Sequence, residues 1–247
     1  MLDTVTLVKM GGSVITHKNS YRSFSRHHTE DIAAQVAEIK GQLIIVHGGG
    51  SFGHVKAREY FIPGVIDDSK RNGSSLIHDD MLDLSGKVAR ALLNHGMAPY
   101  IFPTSSLFAS GTPDYTTPLY YMKKGYTPIL FGDTYLDGNR ILIYSGDSIM
   151  LDLARLTHPS RSIFFSDVDG VFTDDPKRNP DARLIPRIHD GHGIRATSGD
   201  ATGGMKLKLS TLLEMKKHSS EVYLINGKFP ERIRYIGTKE FIGTVIE

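Results

Sequence analysis

The sequence predicts an α/β protein, a three-layer αβα sandwich built on a central, mainly parallel β-sheet. Short apolar runs rich in β-branched residues alternate with longer stretches of helical periodicity along the chain. Several of these apolar runs end in glycine, as strands do where the chain turns into a helix. With 247 residues, 40% of them hydrophobic, the chain can bury a core of the size that one such domain requires.

The N-terminal half alternates strands and helices. Residues 29–41 place apolar side chains at helical spacing, with Thr29 as the predicted N-cap and Gly41 as the stop. Residues 74–96 form a second such stretch. Strands are predicted before and after these two helices, at residues 4–10, 42–50 and 98–104.

The C-terminal half continues the alternation after an antiparallel insertion. Asp137-Gly138-Asn139 lies between two β-rich runs and predicts a hairpin. Strands are expected at residues 127–133, 161–171 and 221–227, and helices at residues 145–158 and 202–219.

Composition excludes several classes of protein. The formal net charge is +2 and no long basic run occurs, so we expect neither a nucleic acid nor an anionic membrane as a partner. The absence of cysteine excludes disulfides, thiolate catalysis and cysteine-ligated metals. No stretch reaches the length of a membrane span and the first residues lack a signal-peptide layout, so a cytoplasmic location is expected.

Three glycine clusters carry the chemistry. They are KMGGS at 9–13, HGGGSFGH at 47–54 and TGGMKLK at 202–208, and the first two follow predicted strands. Glycine lets main-chain N–H groups approach phosphate oxygens at the carboxyl ends of strands. None of the three matches the Walker pattern, and GGGSFG is not a clean dinucleotide-binding fingerprint.

Lysines accompany the glycine clusters. Lys9 lies inside an apolar strand and needs an anionic partner, because an unpaired buried ammonium is costly. Lys18 follows the first glycine turn, and Lys206 and Lys208 open the helix after the third, where a bound anion would offset their repulsion by the helix dipole. Cations around glycine turns favour phosphoryl transfer.

In order along the chain, KMGGSVIT, VHGGGSFGH, SGDSIMLDLA, FFSDVDGVFTDDPK and TGGMKLK resemble the motifs of the amino acid kinase superfamily, most closely the isopentenyl phosphate kinases. The resemblance implies that Lys9, Lys18 and Lys208 stabilise the transferring phosphoryl group and that Asp147 holds the lysines in place. It places ATP against a larger set of residues: Lys9, Met10, Gly11, Gly12, Ser13, Gly50, Asp167, Asp174, Asp175, Gly204 and Lys208.

The same resemblance assigns the acceptor, isopentenyl phosphate. His54 would donate a hydrogen bond to its phosphate, which either the neutral ring or the imidazolium can do; otherwise it would pack or cap the following helix. The residues expected at the acceptor are Gly49, Gly53, His54, Gly146, Ile77 and Met81. His47, at the end of its strand, is interpreted as structural.

The resemblance has further implications. It implies one domain over 1–247, with an acceptor-binding lobe over about 1–145 and an ATP-binding lobe over about 146–247, and a homodimer. Mg²⁺ would be held chiefly by ATP phosphates and water, since no carboxylate cage is found in the sequence. Two alternatives stay open, a fosfomycin kinase or related kinase of small acids or phosphates, and a module that senses ATP without transferring phosphate.

Overall fold

The computed structural model describes residues 4–17, 20–108, 111–174, 176, 178–189 and 203–247, with side chains in the last helix described from Leu209 onward. The strands are β1 (Val5–Met10), β2 (Gln42–His47), β3 (Gly64–Val65), β4 (Pro99–Ile101), β5 (Thr127–Phe131), β6 (Asp133–Asp137), β7 (Arg140–Tyr144), β8 (Arg161–Ser166), β9 (Val171–Phe172), β10 (Leu184–Ile185), β11 (Arg187–Ile188), β12 (Glu221–Asn226) and β13 (Thr244–Ile246). The predicted run of strands is therefore confirmed.

The helices confirm the alternation. They are α1 (Gly12–Ile15), α2 (Arg26–Val36), α3 (Gly50–Glu59), α4 (Asp68–Asn94), α5 (Thr116–Lys123), α6 (Gly146–Thr157) and α7 (Gly203–Lys216), with 3₁₀ turns at Thr104–Ser106 and Pro230–Tyr235. No helix among the described residues is long and apolar enough to cross a membrane.

The main sheet has the strand order β11-β13-β12-β8-β1-β2-β5-β4. The six strands from β12 to β4 run parallel, and β13 pairs antiparallel to β12. Crossover connections through helices keep the carboxyl ends of these six strands at one edge. Ligands of open parallel sheets bind at that edge, where both N-terminal glycine clusters begin.

Two hydrophobic layers cover the sheet. Along β1, Val8 packs with Ile32 of α2 and Leu84 of α4 on one face, whereas Leu7 packs with Leu153 of α6 and other apolar residues on the opposite face. Strand side chains alternate between faces, so both faces are apolar only when each is covered by helices. The predicted three-layer αβα sandwich is confirmed.

Three local features refine the sequence prediction. The predicted hairpin is present, with β6 and β7 joined through Gly138, whose φ is +55°. Thr29 is wrong as the N-cap, because α2 begins at Arg26 and the Thr29 hydroxyl donates to the Ser25 carbonyl from inside the helix. Helix α3 begins at Gly50, so His54 lies within it rather than before it.

Candidate functional site

A cavity of about 490 Å³ opens at the carboxyl edge of the sheet. It brings together predicted residues that are far apart in the sequence, namely Lys9, Gly11, Gly12, Ser13, Gly49, Gly50, Gly53, His54, Ile77, Met81, Gly146 and Asp147. The first glycine cluster follows β1 and the second follows the neighbouring strand β2, so the parallel pairing of these strands places the two clusters side by side. The structure thus joins these residues in one site.

The two glycine turns touch through their backbones. A Cβ on Gly12 would lie 2.3 Å from the Gly50 nitrogen, so no larger residue fits there without displacing the second turn. Gly50 also has φ +50°, a conformation that glycine adopts without strain. Thr16 links the turns, since its hydroxyl donates to the Gly12 carbonyl at 2.6 Å and accepts from the Ser51 amide at 3.0 Å. These two turns form the floor of the cavity, and that floor consists of backbone rather than of side chains.

Lys9 has the anionic partner that its burial requires. The residue is 9% exposed, and its Nζ lies 2.5 Å from Oδ1 of Asp147. Asp147 is in the first turn of α6, where the helix dipole favours a carboxylate, and Ser145 caps that helix by accepting from the Ser148 amide. The pair fixes one positive charge at the cavity, beside Gly146.

His54 faces the cavity from α3. Although the residue is exposed to the cavity, desolvation by the surrounding protein lowers its pKa, and the positive charges of Arg58 and Lys9 lower it further. The imidazole is therefore mainly neutral at neutral pH, and it offers one N–H donor to an anion. Arg58, one helical turn after His54, lines the same cavity.

One wall of the cavity is apolar. Ile77 and Met81 lie one turn apart on α4, are almost fully buried, and line the cavity. Met81 contacts α3 so closely that a Cβ on Gly49 would lie 3.0 Å, and one on Gly53 3.4 Å, from its sulfur. Ile143 of β7 adds a further apolar surface. The two glycine turns and this apolar wall line one continuous cavity.

The structure adds residues that the sequence did not reveal. Thr16, Arg58 and Ile143 are described above, and the hairpin also brings Asp133 and Thr134 to the cavity. The Asp133 side chain is fully buried, and one of its oxygens lies 2.6 Å from Nδ1 of His78 while the other accepts from the Thr134 amide. Burial raises the pKa of Asp133 and these contacts offset part of that rise. Thr16 lies in the KMGGSVIT motif without being singled out by it, and no quoted motif contains Arg58, Asp133, Thr134 or Ile143.

Other predicted ATP-site residues lie outside the cavity lining. The Met10 side chain is buried in the core, while its carbonyl accepts from the Gly48 amide at 3.0 Å. Asp167 accepts from the Ser13 hydroxyl at 3.0 Å, which places it beside the cavity. Asp174 accepts a 2.8 Å hydrogen bond from the side-chain Nδ2 of Asn179.

The third glycine cluster is only partly described. Gly204 lies in the first turn of α7, as predicted for a helix that opens with glycine. Lys18, Asp175 and the side chain of Lys208 lie outside the described residues. Their predicted roles at the phosphates and the nucleoside therefore remain predictions.

His47 has the structural role that was predicted for it. It is fully buried, stacks on Phe131 with ring centroids 5.3 Å apart, and its Nδ1 lies 3.2 Å from the Gly48 carbonyl, the geometry of an N–H donor. Burial lowers its pKa from 6.5 to about 4, which the Gly48 contact opposes.

We expect His47 to make folding sensitive to acid. Between pH 6.5 and 4 the unfolded chain binds a proton that the folded protein excludes, so the free energy of unfolding falls by up to about 3 kcal/mol as the pH falls through this window. Urea denaturation of the parent and His47→Gln at several pH values measures this. The variant should lack this part of the pH dependence. If the free energy of unfolding depends on pH in the same way in both proteins, His47 is not the source of the acid sensitivity.

The amino acid kinase family model matches residues 4–226. The chain belongs to the amino acid kinase family. It is 42% identical over 242 residues to isopentenyl phosphate kinase of Thermoplasma acidophilum, covering 97% of this chain and 99% of that protein. It is 34% identical over 260 residues to isopentenyl phosphate kinase of Methanothermobacter thermautotrophicus, covering 97% of this chain and 98% of that protein.

The fold agrees with this relationship. The crystal structure of the product complex of the Thermoplasma acidophilum enzyme superimposes with a TM-score of 0.91, at 41% identity, over 99% of this chain and all of that one. The chain and that crystal structure therefore share the mainly parallel central sheet and its helical layers.

Proposed function

We propose that this protein is a kinase that transfers the γ-phosphoryl group of ATP to isopentenyl phosphate, forming isopentenyl diphosphate and ADP in isoprenoid biosynthesis. The observation that carries the proposal is a single cavity that combines a fixed lysine, a histidine donor and an apolar wall. Lys9 meets phosphate charge, His54 meets the phosphate of the acceptor, and Ile77 and Met81 surround a hydrocarbon tail. The similarity to isopentenyl phosphate kinases supports this acceptor.

The reaction needs no covalent enzyme intermediate. An oxygen of the acceptor phosphate attacks the γ-phosphorus in line, the bond from that phosphorus to the β,γ-bridging oxygen breaks, and ADP leaves with the electron pair. The acceptor is already ionised at neutral pH, so no general base is required. Lys9 and main-chain N–H groups at Gly49 and Gly50 would stabilise charge on the transferring group, together with Lys18 and Lys208.

Mg²⁺ is proposed as the companion of ATP. The described residues contain no group of three acidic or histidine side chains placed to hold a metal ion. The carboxylate of Asp147 is already paired with Lys9, and that of Asp133 lies against His78. Mg²⁺ commonly keeps several waters and binds substrate phosphates, so it would enter with ATP and neutralise part of the phosphate charge.

An acceptor panel tests the proposed function. The purified chain is supplied with ATP and Mg²⁺ and with isopentenyl phosphate, fosfomycin, acetylglutamate or uridine monophosphate, and ADP release is measured. We expect turnover to be highest with isopentenyl phosphate. Preference for fosfomycin would show that the protein is a kinase for a different acceptor. ATP binding without turnover on any acceptor would indicate a module that senses ATP.

The apolar wall predicts the length of the acceptor tail. Ile77→Ala and Met81→Ala enlarge the cavity where the two side chains lie one turn apart, so we expect kcat/KM for geranyl or farnesyl phosphate to rise relative to isopentenyl phosphate. Leu76→Ala is the matched control, because Leu76 is on the same helix but is 40% exposed. An unchanged chain-length preference in both cavity variants would place the tail elsewhere.

Three broader features are also proposed. The N-terminal lobe over about 1–145 would bind the acceptor and the C-terminal lobe over about 146–247 would bind ATP, since His54 and the apolar wall precede α6. A homodimer is expected from the family resemblance, and a cytoplasmic location is proposed from the sequence alone. Light scattering of the purified chain tests the dimer.

A further inference from the structure

A buried carboxylate lies directly behind the acceptor wall. Asp80 is 1% exposed and immediately precedes Met81 on α4. It does not line the cavity, and the mechanism above does not use it. A buried carboxylate is stable only with partners that replace its hydration. Both partners come from the loop that follows the first glycine turn.

Tyr21 and Arg22 supply these contacts. The Tyr21 hydroxyl donates to Oδ2 of Asp80 at 2.6 Å, and Nη1 of Arg22 lies 3.1 Å from Oδ1. Nη2 of Arg22 donates to Asp83, one turn along α4, at 2.7 Å. Burial, and then the contacts with Asp80, raise the pKa of Tyr21 to about 12, so its hydroxyl remains a donor at neutral pH.

The same two residues also contact α3. The Arg22 guanidinium lies 6.0 Å from the centroid of the Phe52 ring, and Nζ of Lys56 lies 4.9 Å from the centroid of the Tyr21 ring. Both are cation–π distances. Phe52 and Lys56 flank His54 in the sequence of α3, so the contacts are made close to the proposed phosphate donor.

The backbone of the loop is held in an uncommon conformation. Arg22 has φ +54°, which costs a non-glycine residue free energy and persists only when surrounding contacts impose it. The base of the loop is closed by a bridge between Thr16 and Phe24 and by the His17 amide donating to the Ser23 carbonyl at 2.9 Å. The described residues of this loop are therefore held both at its base and at Arg22.

We propose that Tyr21 and Arg22 form a clamp that sets the spacing of α3 and α4 and thereby positions the acceptor-binding residues of both helices. On the cavity side the helices meet where Met81 contacts Gly49 and Gly53. On the other side the clamp joins Asp80 and Asp83 of α4 to α3. A change of about 1 Å in this spacing would separate His54 from the apolar wall and weaken acceptor binding. Tyr21 and Arg22 act through other residues and are positioning residues. This inference rests on the proposed function.

Two variants test the clamp. Tyr21→Phe removes only the hydroxyl that Asp80 accepts from, and Arg22→Gly removes the guanidinium while keeping a residue that adopts positive φ readily. Arg71→Gln is the matched control, because Arg71 forms a 2.7 Å ion pair with Asp68 on the exposed part of α4. With each protein, KM is measured separately for isopentenyl phosphate and for ATP.

We expect KM for isopentenyl phosphate to rise about three- to tenfold in both clamp variants, with KM for ATP unchanged and both constants unchanged in the control. A general loss of protein stability would not raise KM for isopentenyl phosphate while leaving KM for ATP unchanged. A fall in kcat with both KM values unchanged, or a parallel rise in both KM values, would overturn the proposal.

A second measurement needs no substrate. Amide hydrogen exchange of the free protein should be faster in α3 of both clamp variants than in the parent, with exchange in α6, on the opposite face of the sheet, as the internal reference. Unchanged exchange in α3 in both variants would also overturn the clamp. If the parent does not phosphorylate isopentenyl phosphate, the proposed function fails, whereas this exchange experiment still decides whether the clamp holds α3.

Discussion

Replacing Lys9 by alanine should lower kcat on isopentenyl phosphate about 10²- to 10³-fold, which corresponds to roughly 3–4 kcal/mol of transition-state stabilisation. The expected loss is large because the charge of Lys9 is held in place before the reaction begins. Asp147 holds the ammonium at the cavity, beside the glycine floor, so its charge needs little reorganisation during transfer. Lys208→Ala should have a comparable effect if that side chain brackets the nucleotide phosphates, as the family resemblance implies.

Steady-state kinetics with isopentenyl phosphate and ATP measure these losses. Lys40→Ala is the matched control, since Lys40 is exposed and lines a separate groove with Thr4 and Thr6, near the amino end of β1. Circular dichroism and thermal unfolding show whether the fold survives, because removal of Lys9 leaves Asp147 without its partner. Full activity of Lys9→Ala would remove Lys9 from the mechanism.

Replacing His54 by alanine should lower kcat/KM for isopentenyl phosphate by roughly tenfold to more than a hundredfold. A hydrogen bond to a charged group contributes about 1.5–3 kcal/mol. ATP affinity should hardly change, because His54 is proposed to contact the acceptor and not the nucleotide. Isothermal titration with each ligand separates the two effects.

His54→Gln distinguishes hydrogen bonding from charge. Glutamine keeps an N–H donor and lacks a charge, and the lowered pKa of His54 means that the free imidazole is mainly neutral as well. We therefore expect the glutamine variant to retain part of the activity that the alanine variant loses. If His54→Ala phosphorylates isopentenyl phosphate as the parent does, His54 is structural, and the sequence argument for this acceptor is lost.

Much of the fold is predictable because its signals are local. Continuous apolar runs at β1 and β2 require burial on both faces, and Gly138 marks the hairpin. The start of α3 is not predictable in this way, since Gly50 and Gly53 disfavour helix and only the packing of this turn against Gly12 and Met81 fixes it. The start of α2 was misplaced because Thr29 is a good cap residue in isolation.

Only part of the candidate site is predictable from the sequence. Lys9, Gly12 and His54 lie in motifs at strand ends, so the sequence places them at one edge of a parallel sheet. Ile143 and Asp133 reach the cavity through the hairpin, and Thr16 supports the second glycine turn through its hydrogen bond with the Ser51 amide. Those positions depend on how separate elements meet in three dimensions, which residue spacing does not encode.

The direct backbone contact between Gly12 and Gly50 has an evolutionary consequence. Every residue type shares the same main-chain atoms, so the part of the site that would align the two phosphates has few side chains through which mutation could tune it. The apolar wall proposed to surround the acceptor tail consists instead of side chains on α4 and β7. New acceptors can therefore arise by substitution at Ile77, Met81 or Ile143 while the geometry of transfer is inherited unchanged, which makes this scaffold well suited to diversification into kinases for different small molecules.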